Sequence, residues 1–170
     1  MKIPGKFLAI AGGLVLITYV ITLKFATPSS LVEVKEVPHQ KWLVLGKSIE
    51  GGLHSDEFAE FFKSMNTLKK EMGDSLPELT RYYIEPTVAN KKKTAVFSGV
   101  IVPDSSFTKK GYQLIEINLP PSVKVQHMLA AGLYTAIDNY ALNKKIELEK
   151  NQVVEILAED YTAILIQKKQ

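Results

Sequence analysis

The chain opens with a long apolar run and then changes to short segments that alternate apolar and polar residues. Residues 7 to 23 read FLAIAGGLVLITYVITL, broken only by Thr18, Tyr19 and Thr22. As a helix, about 17 residues rising about 1.5 Å each cover about 26 Å, close to a thin hydrocarbon core. Tyr19 and Phe25 fall near the far end, where aromatic rings favour the interface. The expected organisation is therefore a membrane anchor over residues 1–25, a linker over 26–30 (ATPSS) and a domain over 31–170.

A cleaved export signal is the competing reading. Cleavage after Ala26 would place Lys24 at −3, with Pro28 just beyond the cut, and the run exceeds a usual signal core. Lys2, Lys6 and the terminal amine precede the run, whereas Lys24 alone closely follows it. This bias predicts a cytoplasmic N-terminus and an extracytoplasmic domain on a single-pass membrane protein.

Past the linker, Leu31–Val37 alternates with period two and predicts a half-buried strand, ended by Pro38. Lys41–Ile49 predicts a second, more apolar strand carrying Trp42, the only tryptophan. Ser55 then reads as a helix N-cap with Asp56 and Glu57 behind it. Phe58, Phe61, Phe62, Met65, Leu68 and Met72 recur every three or four residues, and Gly73 ends the helix. This stripe is read first as a face packed on a sheet, with a ligand-pocket lining as the alternative.

Thr80–Pro86 and Thr94–Val102 predict two further strands around a turn bearing Lys91, Lys92 and Lys93. The pattern then restarts. Tyr112–Leu119 and Val123–Leu129 predict strands around Pro120-Pro121. Gly132 leads into a helical stretch with Ile137, Tyr140, Ala141 and Leu148 on one face. Val153–Ala158 and Tyr161–Gln167 close the chain as a hairpin. The halves start about 80 residues apart and each reads β-β-α-β-β. The expected fold class is α+β, with two antiparallel sheets and two helices packed about a pseudo-twofold, and a ligand cleft along that axis.

Composition removes several chemistries. With no cysteine, thiolate metal sites, thiol redox and cysteine nucleophiles are excluded. The three histidines, His39, His54 and His127, are scattered, and no metal or other cofactor is expected. The net charge is +3 and Arg81 is the only arginine, which argues against nucleic acid as a partner. The lysine run reads as a solvated turn rather than a phosphate or headgroup patch. No nucleophile elbow, H-E-x-x-H, Walker loop or G-x-G-x-x-G occurs.

The duplicated layout carries further local features: Val34-Lys-Glu-Val-Pro38, Tyr82-Tyr-Ile-Glu-Pro86, G-x-x-V-P at Gly99–Pro103, and His127-Met-Leu-Ala-Ala-Gly-Leu-Tyr134. Glu155 stands on the penultimate predicted strand. In these features the soluble part, Val32 to Lys169, resembles the GyrI-like small-molecule-binding family, whose domains also serve as effector-binding modules of MerR- and AraC-type activators. The resemblance implies that Glu155 is a cleft carboxylate for a hydrophobic or cationic ligand, with Tyr82 and Tyr134 as pocket aromatics. Trp42 and Phe62 complete the candidate ligand-binding set. The tyrosine that the family carries shortly after this glutamate is replaced by Ile156 and Leu157. The SOUL haem proteins share the duplicated fold, but no axial histidine is identified here.

The expected function is thus a membrane-anchored small-molecule binder. The alternatives are a tethered protein-interaction adaptor and a hydrolase using Glu155 as base with help from Tyr134. A water-facing edge position for Glu155 is the plain structural alternative. Gyrase inhibition would be excluded by an outward-facing domain.

Overall fold

The computed structural model describes residues 32–52, 55–83, 94–128 and 132–169. The anchor and linker, and the lysine run at 91–93, lie outside the described residues. Among the described residues no helix is long and apolar enough to cross a membrane.

The strands are β1 (Glu33–Val37), β2 (Gln40–Gly51), β3 (Glu78–Tyr82), β4 (Thr94–Ile101), β5 (Gln113–Leu119), β6 (Ser122–His127), β7 (Leu148–Leu157) and β8 (Thr162–Lys168). The helices are α1 (Asp56–Met72) and α2 (Leu133–Lys144). Each half is β-β-α-β-β as the pattern predicts. The two expected sheets are instead one eight-stranded sheet, ordered β1-β6-β8-β7-β3-β4-β2-β5, with every pairing antiparallel. Exchanging the halves, β1 for β5 and so on, reads that order backwards, so a pseudo-twofold passes between β7 and β3.

The prolines explain the merger. Pro38-His39 joins β1, first in the order, to β2, seventh. Pro120-Pro121 joins β5, last in the order, to β6, second. Proline cannot donate to a ladder, so each strand leaves one neighbour there and takes up another. Six strand spacings in a flat sheet measure about 29 Å, whereas a two-residue connection reaches about 10 Å. The sheet must therefore roll until its edges approach. Val37 of β1 accordingly packs against the same cluster as Ile117 and Leu119 of β5.

That cluster fills the face of the sheet turned away from the helices. Leu79, Phe97, Val154 and Leu165 are at its centre, all at most 1% exposed, and Trp42 and Tyr161 pack at its margin. The other face is covered by the helices. Ser55 Oγ accepts from Phe58 N at 3.4 Å to cap α1, and Gly73 N closes it on Lys69 O at 2.8 Å. Phe58, Phe61, Met65 and Leu68 are buried from α1 against β4 and β2. Each contributes about 1.5–3 kcal/mol of transfer free energy before the entropy of ordering the helix. Leu133, Ile137 and Ala141 do the same from α2 against β6, β8 and β1.

Two boundaries differ from the expected ones. α2 stops at Lys144 because Lys145 adopts a left-handed conformation at φ 57, so Leu148 opens β7 instead of extending the helical face. β3 begins at Glu78, two residues before the predicted Thr80, and ends at Tyr82.

Candidate functional site

The site forms where the two halves meet. Along β3, alternation sends Glu78, Thr80 and Tyr82 to the helix-covered face and Leu79 and Arg81 to the other. In the β3–β7 register Thr80 stands opposite Glu155, and Tyr82 opposite Val153. The plain alternative for Glu155, an edge position facing water, does not hold: β7 lies between β8 and β3, and the side chain is half-buried.

Both Glu155 oxygens are engaged. Tyr134 Oη, from the first turn of α2, donates to Oε1 at 2.6 Å. Tyr82 Oη donates to Oε2 at 3.1 Å. Burial, then the negative charge of Glu155 and the hydrogen bond to it, push the Tyr82 phenol far above its usual range, so it remains a donor at any physiological pH. Hydroxyl-to-carboxylate bonds of this kind are charge-assisted and fix both partners. Among the described residues Glu155 has no basic partner. Arg81 points to the opposite face, where Nη2 donates to Gln152 Oε1 at 2.9 Å and the guanidinium stacks on Tyr83.

Beside Glu155 lies a cavity of about 280 Å³. Its apolar walls come from Phe62 on α1, the ring of Tyr82 and Leu157 on β7. Its polar groups are the carboxylates of Glu155 and Glu78 and the hydroxyls of Thr80 and Thr162. Phe62 is held against Phe58 and Phe61, with ring centroids 6.2 and 5.3 Å away, so α1 fixes that wall. A wider depression of about 640 Å³ nearby is lined, among the described residues, by polar side chains, including Lys69, Lys70, Asp74 and Glu159. The charges of these two lysines and two acids cancel, and none of its described lining residues is apolar.

The structure thus brings together four of the five sequence candidates. Glu155, Tyr82 and Phe62 line the cavity, and Tyr134 reaches Glu155 from the α2 side. Trp42 is elsewhere, packed against the cluster on the far face, because its position on β2 has the parity of Val44 rather than of Leu45. Glu78 and Thr80 were missed. The signal was present, since Glu78, Thr80 and Tyr82 occur at i, i+2 and i+4, but Pro77 and a charged residue mask the strand start. No group of three His, Asp or Glu side chains among the described residues could hold a metal ion.

No protein-family model matches the chain, and no curated protein matches it significantly. Solved structures do share its fold. A conserved protein of Listeria innocua is 12% identical with a TM-score of 0.53, covering 86% of this chain and 96% of its own. A hydrolase from the same organism is 14% identical at TM-score 0.51, covering 86% and 95%. The C-terminal domain of EcmrR is 12% identical at TM-score 0.50, covering 82% and 97%. EcmrR is also known in a complex with DNA, and that chain is 15% identical at TM-score 0.51, covering 98% and 68%. At such identity the likeness is one of fold.

Proposed function

We propose that the domain is a small-molecule binder of the effector-binding, GyrI-like type, taking a compact cation with an apolar body into the cavity beside Glu155. One observation carries this reading: a half-buried carboxylate, without a basic partner among the described residues, is oriented by two tyrosine hydroxyls at the wall of an apolar cavity. Such a carboxylate is costly until a positive charge approaches it. Tyr82 and Phe62 present aromatic surface that suits the same ligand. On the sequence-based expectation of an anchor at residues 7–23, the binder works at a membrane surface, outside the cytoplasm.

The test is calorimetric titration of the full-length protein in lipid nanodiscs with benzyltrimethylammonium, and with benzyl alcohol as the neutral control. Binding of the cation alone, weakened at least tenfold by Glu155→Gln, is the expected result. Equal binding to the parent and to Glu155→Gln, or none to either, would overturn the assignment.

A further inference from the structure

We propose that Glu78 is a second anchoring carboxylate of the cavity, and that the preferred ligand is a compact diamine with one cationic group for each glutamate. The proposal rests on the binding role given to Glu155 above. Thr80 is the register partner of Glu155, so Glu78, two residues before it on the same face, is the diagonal neighbour of Glu155. Diagonal neighbours lie about 7–8 Å apart, their side-chain bases somewhat closer. Both carboxylates line the same cavity, and among the described residues none of its lining side chains is basic.

A structural role does not account for Glu78. The residue is 9% exposed. The one hydrogen bond to its carboxylate among the described residues is a long one, 3.4 Å from Ser98 Oγ, which also lies 2.8 Å from Thr80 Oγ1. A carboxylate can accept about four hydrogen bonds, so most of its capacity is unused. The titratable groups facing it are Glu155 and the neutral Tyr82 phenol on the sheet and Lys69 on α1. Lys69 favours the ionised form, yet burial outweighs it and raises the carboxyl above its usual range. No ion pair joins the two among the described residues. A glutamine here would cost the fold less. An under-satisfied acid standing next to a second acid, in a cavity with apolar walls, fits a site that receives its balancing charge from outside.

The experiment titrates the full-length protein with benzylamine and with 1,4-bis(aminomethyl)benzene, which differ only by the second aminomethyl group. The parent protein should bind the diamine at least tenfold more tightly. Glu78→Gln should remain folded with an equal or higher thermal midpoint and lose the preference, the diamine then binding no more tightly than benzylamine. Glu78→Asp, which keeps the charge, should keep the preference. Equal binding of the two amines by the parent, or an undiminished preference in Glu78→Gln, would overturn the proposal. Loss of the preference in both Glu78 variants would assign it to packing and also overturn it. If benzylamine binds and depends on Glu155 but the diamine gains nothing, this proposal alone fails. If neither amine binds, the Glu155 reading falls with it.

Discussion

Tyr82 and Glu155 are joined across the central strand pair of the sheet, the tyrosine from the first half of the duplicated domain and the glutamate from the second, with 3.1 Å between Oη and Oε2. Because Tyr134 holds the other oxygen at 2.6 Å, the carboxylate is oriented by both halves at once. A rolled sheet whose outer strands are exchanged between halves makes this possible, since it fixes the junction from both sides. The two bonds are the natural place to test how far site and stability are coupled.

Tyr134→Phe and Tyr82→Phe each remove one charge-assisted hydrogen bond and leave the ring in place. Each should cost about 1.5–3 kcal/mol in denaturant unfolding. The double variant should lose more than the two single losses combined, by about 0.5 kcal/mol or more. The first deletion leaves Glu155 one donor, and the second leaves none among the described residues. Strict additivity in a double-mutant cycle would show that the two hydroxyls do not share the carboxylate.

Glu78 predicts a pH dependence of the opposite sense to that of an ordinary ion-paired acid. Burial raises its folded-state value above the usual 4.5, with Lys69 and Ser98 acting the other way. The folded state therefore holds this proton more tightly than the unfolded chain does. The resulting stability is full below the unfolded value and is lost as pH rises through the folded one. Urea midpoints measured from pH 4 to pH 8 should show Glu78→Gln gaining on the parent as pH rises. The gain should vanish toward pH 4. A pH-independent difference would mean that Glu78 ionises in the folded state as freely as in the unfolded chain.

Local order was legible in the chain, and long-range pairing was not. Ser55, the Phe58–Leu68 stripe and Gly73 mark α1 because capping and helical periodicity act within a few residues. Each half's strand count followed from alternation in the same way. The exchange of β1 and β5 leaves no periodic signature, because each strand alternates identically whichever neighbour it meets. The readable clue was the brevity of Pro38-His39 and Pro120-Pro121, which two separate sheets leave unexplained. At the site, the resemblance pointed to Glu155, Tyr82 and Tyr134, and the residue pattern alone did not. Glu78 required the register between β3 and β7, a relation spanning about 80 residues. Trp42 was misplaced because a strand with apolar residues on both faces does not reveal which face meets the helices.

Leu79 tests the helix-free face. It is fully buried in the cluster beneath β3, one residue from both Glu78 and Thr80. Leu79→Ala should destabilise by about 2–5 kcal/mol, the range for a buried leucine whose surroundings only partly collapse. Thermal unfolding of a compact domain should register this as a large fall in midpoint. A loss below about 1 kcal/mol would mean that the sheet is not rolled over this cluster.

Gly99 tests the backbone that carries the site. It faces Gly46 across the β2–β4 pair. A Cβ at Gly99 would come 2.3 Å from Leu45 O and 2.6 Å from Gly46 Cα, and one at Gly46 would come 2.1 Å from Ser98 O. All three obstacles are backbone atoms, so no rotamer change relieves them and the strands themselves must separate. Gly111 is a useful contrast: a Cβ there meets nothing within 4 Å, and only its φ of +82 resists substitution. Gly111→Ala should therefore cost about 1–2 kcal/mol, and Gly99→Ala about 3 kcal/mol or more. Gly99→Ala should also weaken binding of the diamine, because Ser98, its neighbour in sequence, supplies the hydrogen bond to Glu78. Equal losses in the two variants would show that the close approach of β2 and β4 is not what Gly99 provides.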